Sequence, residues 1–390
     1  MRDRALIAFA AVAACGFHPT AAQLDGTAPD GSVAGCEPCA WSCIPGDPPR
    51  CGTLVPSGGA VTGGDLGGSN DVTITATIDT GDGMNKKPEL DGAEWTDVRQ
   101  VNGVTIFRVG SATIAGTVQV SGKLGLAIVA SRAVTIDGVL DAALCDPASP
   151  IGGFAGGGPH MNGKGSGAGA GSDDDGAGGG GGGNGGAGGS GGSGTAAGDA
   201  YGAADLGVAH LAGGGGGGGG TGGGGPAGGQ GGAAIQIVSN VEISIGASGG
   251  INAGGCGGLG STDHSGGGGG AGGTILLEAP RISSAGVLAV NGGGGGAGVG
   301  ASIVRDGLNG TLDRTPASGG IGGTNGAPGA AGAMLTGGVG TTGVASGGGG
   351  GGIGRIRFTT ATGSVELTGT VSPGLADQPT TCTASKAVVQ

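Results

Sequence analysis

Residues 234–253 read AIQIVSNVEISIGASGGINA, and this stretch decides the fold. Apolar residues occupy every second position in two short runs, the first at Ile235 and Ile237 and the second from Ile243 onward. A glycine pair then precedes a third short apolar run. Alternation with a period of two is typical of β-strands. The stretch therefore predicts three short strands separated by turns.

The same pattern recurs along the chain. Related segments cover residues 127–142, 274–291 and 355–371, and residues 112–120 resemble the second half of a further unit. One unit cannot bury its apolar row alone, whereas stacked units align rows of Ile, Val and Leu in a shared interior. The repeats predict an all-β fold, a parallel β-helix or β-solenoid-like stack. Hairpins of a β-sandwich are the alternative. The long glycine-rich inserts favour the solenoid, because inserts can leave one face without disturbing the stack.

Glycine dominates the composition. Of 390 residues, 110 are glycine, while aromatic residues account for 2% and charged residues for 11%. Glycine has no side chain to bury and loses the most conformational freedom on folding, so this composition disfavours an ordinary globular core along the whole chain. The formal net charge of −12 repels phosphate backbones, which argues against nucleic acid as a partner.

The glycine tracts have their own periodicity. Residues 182–193 read GGNGGAGGSGGS, a strict period of three. That period suits an extended threefold helix of polyproline-II shape, whose backbone groups must bond to neighbouring helices or to water. The inserts are therefore expected to pack as polyglycine-II helices against the solenoid. A flexible glycine-rich linker is the alternative. The uninterrupted tracts are residues 178–183, 213–220, 266–270, 292–296 and 347–352.

The N-terminus reads as an export signal. Arg2 and Arg4 precede a run of apolar residues at 5–14. Residues 12–15, Val-Ala-Ala-Cys, match the lipobox of bacterial lipoproteins, and that resemblance implies cleavage before Cys15 and lipidation of its thiol. Cleavage after Ala22 is the alternative. The chain is expected to be exported, either as a lipid-anchored outer-membrane or cell-surface protein or as a fully secreted one.

Six cysteines are candidates for disulfide bonds. Four of them cluster within the N-terminal segment, where a zinc site is the alternative to two disulfides in an exported protein. Cys145 and Cys256 each follow a glycine of a repeat unit, Gly138 and Gly250 respectively, by a similar distance. If those glycines stack, the two cysteines lie at one corner of neighbouring coils and can pair, leaving Cys382 as the odd one. The four clustered cysteines are Cys36, Cys39, Cys43 and Cys51.

These patterns divide the chain into five parts. Asn102-Gly103, between two apolar runs, predicts a hairpin turn in the third of them. The parts are a signal peptide at 1–22, a Cys-rich segment at 23–60, N-terminal β strands or a cap at 61–110, glycine-rich solenoid repeats at 111–375 and a C-terminal tail at 376–390.

No motif with a catalytic geometry stands out. Nucleophile elbows, ordered triads and paired catalytic carboxylates are not found, so the sequence predicts no catalytic residues, no cofactor and no enzyme activity. Weak calcium binding is conceivable at Asp79 and Asp82 or at residues 173–175, although solvated acidic turns are the simpler interpretation.

Segments such as residues 251–255 and 266–280 resemble glycine-rich predicted lipoproteins of bacterial envelopes, and the glycine-glycine-X stretches are similar to the PGRS tracts of mycobacterial PE-PGRS proteins. The N-terminal PE domain of that family is missing. The resemblance implies a non-catalytic structural or adhesive envelope protein, held at the membrane by lipid, whose partners would be glycans or other surface proteins. A polysaccharide-acting or glycan-binding β-helix protein and an ice- or surface-binding protein are the alternatives.

Overall fold

The computed structural model describes residues 39–41, 43–44, 50–173, 176–201, 211–221, 225–299, 304–377 and 381–390. Within these ranges the fold is all-β, and the helices are limited to two 3-10 turns, Gly63–Gly67 and Gly192–Gly194. The strands form three long sheets and one small antiparallel pair, Cys43–Ile44 with Arg50–Cys51.

Parallel pairing dominates the three long sheets. The first contains Val72–Ile74, Ala112–Ile114, Val134–Ile136, Glu242–Ile245, Arg281–Ser284 and Glu366–Leu367. The second contains Thr77–Asp79, Thr117–Ser121, Val139–Asp141, Gly250–Asn252, Val287–Ala289 and Thr370–Ser372, followed by the antiparallel Glu89–Leu90 and Ala93–Glu94. The third contains Val104–Val109, Gly125–Ala130, Ala234–Ser239, Thr274–Glu278, Arg355–Thr360 and Cys382–Lys386, with the antiparallel Val98–Val101 at its edge.

The chain visits the sheets in a fixed order, from the third to the first to the second, and then returns to the third one coil further on. Parallel sheets traced in this way are compatible with the β-solenoid-like stack that the repeats predict. The register also follows the repeats, since Ile128 lies opposite Ile237 in neighbouring strands of the third sheet. The regular period-two alternation specifies this register, because a slip of one residue would turn each apolar row outward.

A single apolar core fills the interior of the stack. In the second sheet, Leu140, Ile251 and Leu288 lie in register on consecutive strands, and all three are fully buried. Phe107 and Phe358 fill the same interior from the third sheet. Each such side chain contributes about 1.5–3 kcal/mol on burial, so stacked rows replace the aromatic clusters of an ordinary core.

Glycine is required at the corner between the first and second sheets. A Cβ on Gly138 would lie 1.9 Å from the carbonyl oxygen of Gly116, and one on Gly286 would lie 2.1 Å from that of Gly249. The repeat alignment pairs Gly138 with Gly250, and this pairing is wrong by one residue. Gly250 lies opposite Val139 instead, with its N–H donating to the carbonyl of Gly138 at 3.0 Å.

The solenoid sheets extend beyond residues 111–375 at both ends. Strand Val72–Ile74, expected within a cap, pairs in parallel with Ala112–Ile114. Strand Cys382–Lys386, expected within a tail, pairs in parallel with Arg355–Thr360. The hairpin at Asn102-Gly103 is confirmed, and both turn residues have positive φ, 51° and 75°.

The N-terminal segment covers the outer face of the third sheet. Leu54, Ala60 and Val61 pack there against Val104 and Ile106 in a second buried apolar cluster. Strands of this sheet are therefore buried on both faces, which explains why their burial is continuous rather than alternating.

The long glycine-rich inserts leave the solenoid at one place, between a strand of the second sheet and the next strand of the third. They cover residues 142–233, 253–273 and 290–354. Within residues 178–183, successive N–H groups donate in turn to carbonyls of residues 189–192, 266–269 and 167–170, and this order repeats after three residues. Residues 266–273 donate in the same rotation to residues 346–352, 253–259 and 215–218.

Close approach of these segments makes glycine obligatory in them. A Cβ on Gly268 would lie 2.0 Å from the carbonyl oxygen of Gly180, and one on Gly189 would lie 1.7 Å from that of Gly338. Ala187 and Ser190, which follow glycine pairs, are instead half-buried at the surface of the insert body. In each three-residue repeat, the two glycines therefore make the close backbone contacts, and the third position carries the side chain.

Candidate binding grooves

The structure joins Cys145 to Cys256, the pair that the repeat alignment proposes, with a Cα–Cα distance of 5.5 Å. Cys256 belongs to the second insert and Cys145 to the start of the first, so this disulfide links two inserts that leave neighbouring coils. The one-residue error in the glycine pairing does not separate them, because both lie at the corner where the inserts begin.

A second disulfide joins Cys39 to Cys51. Cys15, Cys36 and the side chain of Cys43 lie outside the described residues, so lipidation and the remaining pairing stay predictions. Cys382 has a buried free thiol, and burial together with the charge of Asp377 raises its pKa to about 12. Two disulfides are typical of proteins in an oxidising, extracytoplasmic environment.

A groove of about 350 Å³ lies beside the Cys145–Cys256 disulfide. We call it the disulfide groove. Its walls are apolar, with Pro147 next to the disulfide and two leucines, Leu259 and Leu308, that are 45% and 59% exposed. Large apolar side chains are seldom left this exposed in pairs along a concave surface, and such surfaces mark binding sites more often than flat ones do.

Two polar side chains of the disulfide groove are held in place by backbone amides. Asn309 Oδ1 accepts the N–H of Gly257 at 2.9 Å, and Asp306 Oδ1 accepts that of Gly260 at 2.7 Å. Gly257 and Gly260 are three residues apart in one insert segment, so both amides point to the same side. These two side chains thereby satisfy the outward-pointing amides of the segment that contains Gly257 and Gly260. The same hydrogen bonds fix the position of the remaining polar atom of each side chain.

Gln230 is the third polar residue of the disulfide groove, and it is only 7% exposed. Its Nε2 is 3.4 Å from the carbonyl oxygen of Ser149, a long hydrogen bond, and its buried Oε1 accepts no hydrogen bond from any described residue. An unpaired buried acceptor costs about 1–3 kcal/mol in the folded state.

A second groove, of about 370 Å³, lies on the outer face of the first sheet. We call it the sheet groove. Glu242 and Arg281 form an ion pair there at 3.0 Å, and Glu366 lines the same groove. The register places Glu366 beside Ser283 at the end of a column of hydroxyl side chains that ascends the sheet. The column contains Thr73, Thr113, Thr135, Ser244 and Ser283.

One carboxylate is fully buried beneath the N-terminal segment. Glu278 accepts the N–H of Ser57 at 2.9 Å and the side-chain amide of Gln236 at 2.7 Å. Burial raises the pKa of Glu278, although these hydrogen bonds and the charge of Arg357 oppose the shift. This carboxylate fastens the N-terminal segment to the third sheet and has no access to a substrate.

The acidic turn considered for weak calcium binding is engaged by protein donors. Asp79 is 2.5 Å from Lys86 Nζ and accepts the N–H of Gly81 at 2.7 Å. Asp82 Oδ1 accepts three successive amides, from Met84, Asn85 and Lys86. In the described ranges no group of three or more acidic, His or Cys side chains has the arrangement to hold a metal ion. Calcium binding stays a prediction here and at Asp173; residues 174–175 are outside the described ranges.

Sequence reasoning predicted the Cys145–Cys256 pair but did not identify the other residues that line the two grooves. Gln230 occupies the third position of a glycine-glycine-X run at residues 227–233, AGGQGGA, and Leu308 lies in an irregular stretch, so neither position by itself predicts a groove. Besides the cysteine pair, the isolated Gln in a tract of small residues is the signal available for the disulfide groove. No helix in the described part of the chain is long and apolar enough to cross a membrane.

Comparison with known proteins found no matching family model, no similar curated protein and no similar solved structure.

Proposed function

We propose that the chain is a non-catalytic structural or adhesive protein of the cell surface, in which the inserts form a rigid body on the solenoid. The observation that carries the proposal is the hydrogen-bond rotation among the inserts, in which one segment donates to three neighbours in turn. A flexible linker would leave its amides to water. Segments that satisfy one another's backbone hydrogen bonds in this way lose the conformational freedom of a linker and hold a fixed shape.

The conformation proposed for the inserts is polyglycine II. Gly191 has φ −64° and ψ 154°, values of a polyproline-II-shaped backbone. Among the five uninterrupted tracts no glycine has a φ in the left-handed region. A hydrogen-bond rotation that repeats every three residues supports a threefold helix, and contact distances that exclude any Cβ support dense packing of such helices.

The turns of different inserts supply the surface for adhesion. Gly266 donates its N–H to the carbonyl of Ser346 at 2.9 Å, and Ser193 Oγ lies 2.9 Å from Ser346 Oγ. Turns from separate inserts therefore meet at one end of the rigid body. Loops held by a rigid scaffold are the usual carriers of binding function. Val344, at one of these turns, is almost fully exposed.

Limited proteolysis of the full-length exported protein tests the scaffold. We expect the glycine tracts to resist a broad-specificity protease under native conditions and to be cleaved only after denaturation. Protease accessibility and antibody labelling on intact cells test surface location. Rapid native cleavage within residues 178–183 or 266–270 would overturn the rigid-body proposal.

A polysaccharide-acting protein is the second candidate, and the sheet groove is the observation that favours it. Glu242, Arg281 and Glu366 provide carboxylates and a guanidinium within one concave surface. A screen of polysaccharides for cleavage, repeated with Glu366→Gln, separates the candidates. Turnover that this substitution abolishes would replace the non-catalytic proposal.

A further inference from the structure

We infer that the disulfide groove is a binding site for a neutral hydroxylated ligand, a single saccharide unit. This goes beyond the scaffold role, because a rigid insert body does not require a ligand site. The inference uses the groove volume, its apolar walls and the unpaired acceptor of Gln230.

The size of the disulfide groove fits a small molecule. Ligand sites have volumes of about 300–1,000 Å³, and this groove, at about 350 Å³, is at the small end of that range. A single ring with its substituents fits such a volume, whereas a long polymer can place only one unit in it. The Cys145–Cys256 disulfide is part of the groove lining and covalently links two of the inserts that contribute to it.

Acceptors outnumber donors among the polar side chains of the groove. Gln230 Oε1 has no donor in the described structure, and Asp306 uses only Oδ1 for the amide of Gly260. Asn309 retains its Nδ2 as a donor, because its Oδ1 is taken by Gly257. A ligand with several hydroxyl groups can donate to the first two residues and accept from the third.

The charge of the groove selects against anions. Asp306 is the charged residue among its lining side chains, and the chain as a whole has a net charge of −12. Phosphorylated or carboxylated ligands are therefore repelled. The exposed faces of Leu259 and Leu308 match the C–H face of a sugar ring, and a polyol without a ring would leave them in water.

The side chain of Gln230 is able to respond to a ligand. Its contact with Ser149 is long, so its terminal amide is weakly held and can turn Oε1 towards a donor that enters the groove. In the absence of ligand this acceptor destabilises the folded protein. Ligand binding would remove that cost, which gives the site a signature that a structural glutamine would not have.

Titration of the full-length protein with neutral monosaccharides, followed by NMR of its leucine methyl groups, tests the site. We expect saturable shifts of Leu259 and Leu308 at millimolar concentrations of at least one hexose or N-acetylhexosamine. Glycerol, glucose 6-phosphate and a primary amine serve as comparisons for a polyol, an anion and a cation. Absence of saturable shifts with every sugar, or saturation by the amine alone, would overturn the inference.

Gln230→Met separates a ligand role from a structural one. We expect it to weaken sugar binding on the order of tenfold or more, while the unfolding midpoint of the ligand-free protein stays the same or rises. Gln119→Met, at an exposed position on the second sheet, is the matched control and should leave both quantities unchanged. Unaltered sugar binding in folded Gln230→Met, or a large fall in its unfolding midpoint, would contradict the assignment.

Discussion

The backbone N–H of Ser57 donates to the buried carboxylate of Glu278 at 2.9 Å, across 221 residues of sequence. This contact ties the N-terminal segment to the outer face of the third sheet. The carboxylate is fully buried among polar partners, and burial is the largest influence on its pKa, which is raised.

A pH dependence of stability follows from Glu278. Its folded-state pKa lies above the unfolded value of about 4.3, so its contribution is fully favourable below that value and is lost as pH rises through the folded pKa. We expect the unfolding midpoint of the wild type to fall relative to that of Glu278→Gln as pH increases from about 4. Thermal unfolding across pH measures the difference. Glu366→Gln, at an exposed position, is the control and should show no such trend; a pH-independent difference for Glu278→Gln would contradict the assignment.

The glycine tracts should be intolerant of a single methyl group. At Gly268 the new Cβ would meet a carbonyl oxygen at 2.0 Å, and Gly268→Ala is expected to destabilise the protein by about 1–3 kcal/mol or more. At Gly158 the nearest atom to a new Cβ is 3.8 Å away, at the flexible Met161 side chain. Gly158→Ala should therefore be neutral or slightly stabilising. Chemical denaturation of both variants measures the contrast, and equal stabilities would mean that the packing is loose.

Third-position side chains of the 182–193 repeat that lie at the surface should be interchangeable, unlike the buried Asn184, whose Nδ2 donates to the carbonyl of Gly272. Ser190 is half-buried at the surface, whereas its neighbour Gly189 contacts Gly338. We expect Ser190→Lys to change the free energy of unfolding by less than about 0.5 kcal/mol, and Gly189→Ala to be strongly destabilising. The reverse ranking in a denaturation experiment would show that the assignment of contact positions is shifted by one residue.

The two disulfides should differ in their contribution to stability. Cys145 and Cys256 are 111 residues apart, whereas Cys39 and Cys51 are separated by 12. The longer loop constrains the unfolded chain more, by a calculated stabilisation of about 4–5 kcal/mol against about 3 kcal/mol. The double variant Cys145→Ser/Cys256→Ser should therefore lower the unfolding midpoint more than Cys39→Ser/Cys51→Ser. Peptide mapping without reduction checks the pairing directly, and a peptide that joins Cys256 to Cys382 would disprove it.

The carboxyl group of Asp82 should titrate unusually low. Hydrogen bonds from the amides of Lys86, Met84 and Asn85 lower its pKa to about 2. Its stabilising effect on the turn is present above the unfolded value of about 3.9 and is lost as pH falls towards 2. Carbon NMR of the side-chain carboxyl measures this titration. Titration of the Asp82 carboxyl at the unfolded value of about 3.9 would exclude the proposed hydrogen bonds.

Sequence periodicity was sufficient to predict an all-β fold whose parallel sheets are compatible with a β-solenoid-like stack. The alternation at Ile235 and Ile237 fixed strands and their inward face, and the Asn102-Gly103 pair fixed a hairpin. Local pattern could not fix the exact offset between coils, because Gly138 has two candidate partners, Gly249 and Gly250, of the same residue type. The choice depends on the close approach of glycine carbonyls, which sequence alone does not express.

The two grooves could not be predicted from the sequence, for a different reason. Gln230, Leu259 and Leu308 belong to three different glycine-rich inserts. They line one groove only because of how those inserts pack against one another. The glycine-glycine-X period predicts the conformation of a segment but does not specify which segments become neighbours. The burial of Glu278 was equally hidden, because its cover comes from the N-terminal segment, distant in sequence.

The three-residue rotation of hydrogen bonds has a consequence for how the gene can change. One glycine added within residues 213–220 would turn each later N–H by a third of a turn and direct it to the wrong neighbour. Three added residues would restore the direction of the later N–H groups and would only lengthen the segment by one turn. If the inserts adopt the proposed polyglycine-II conformation, we expect replication slippage in these tracts to be tolerated in steps of nine nucleotides, whereas slippage by a single codon, which keeps the reading frame, would disrupt the fold.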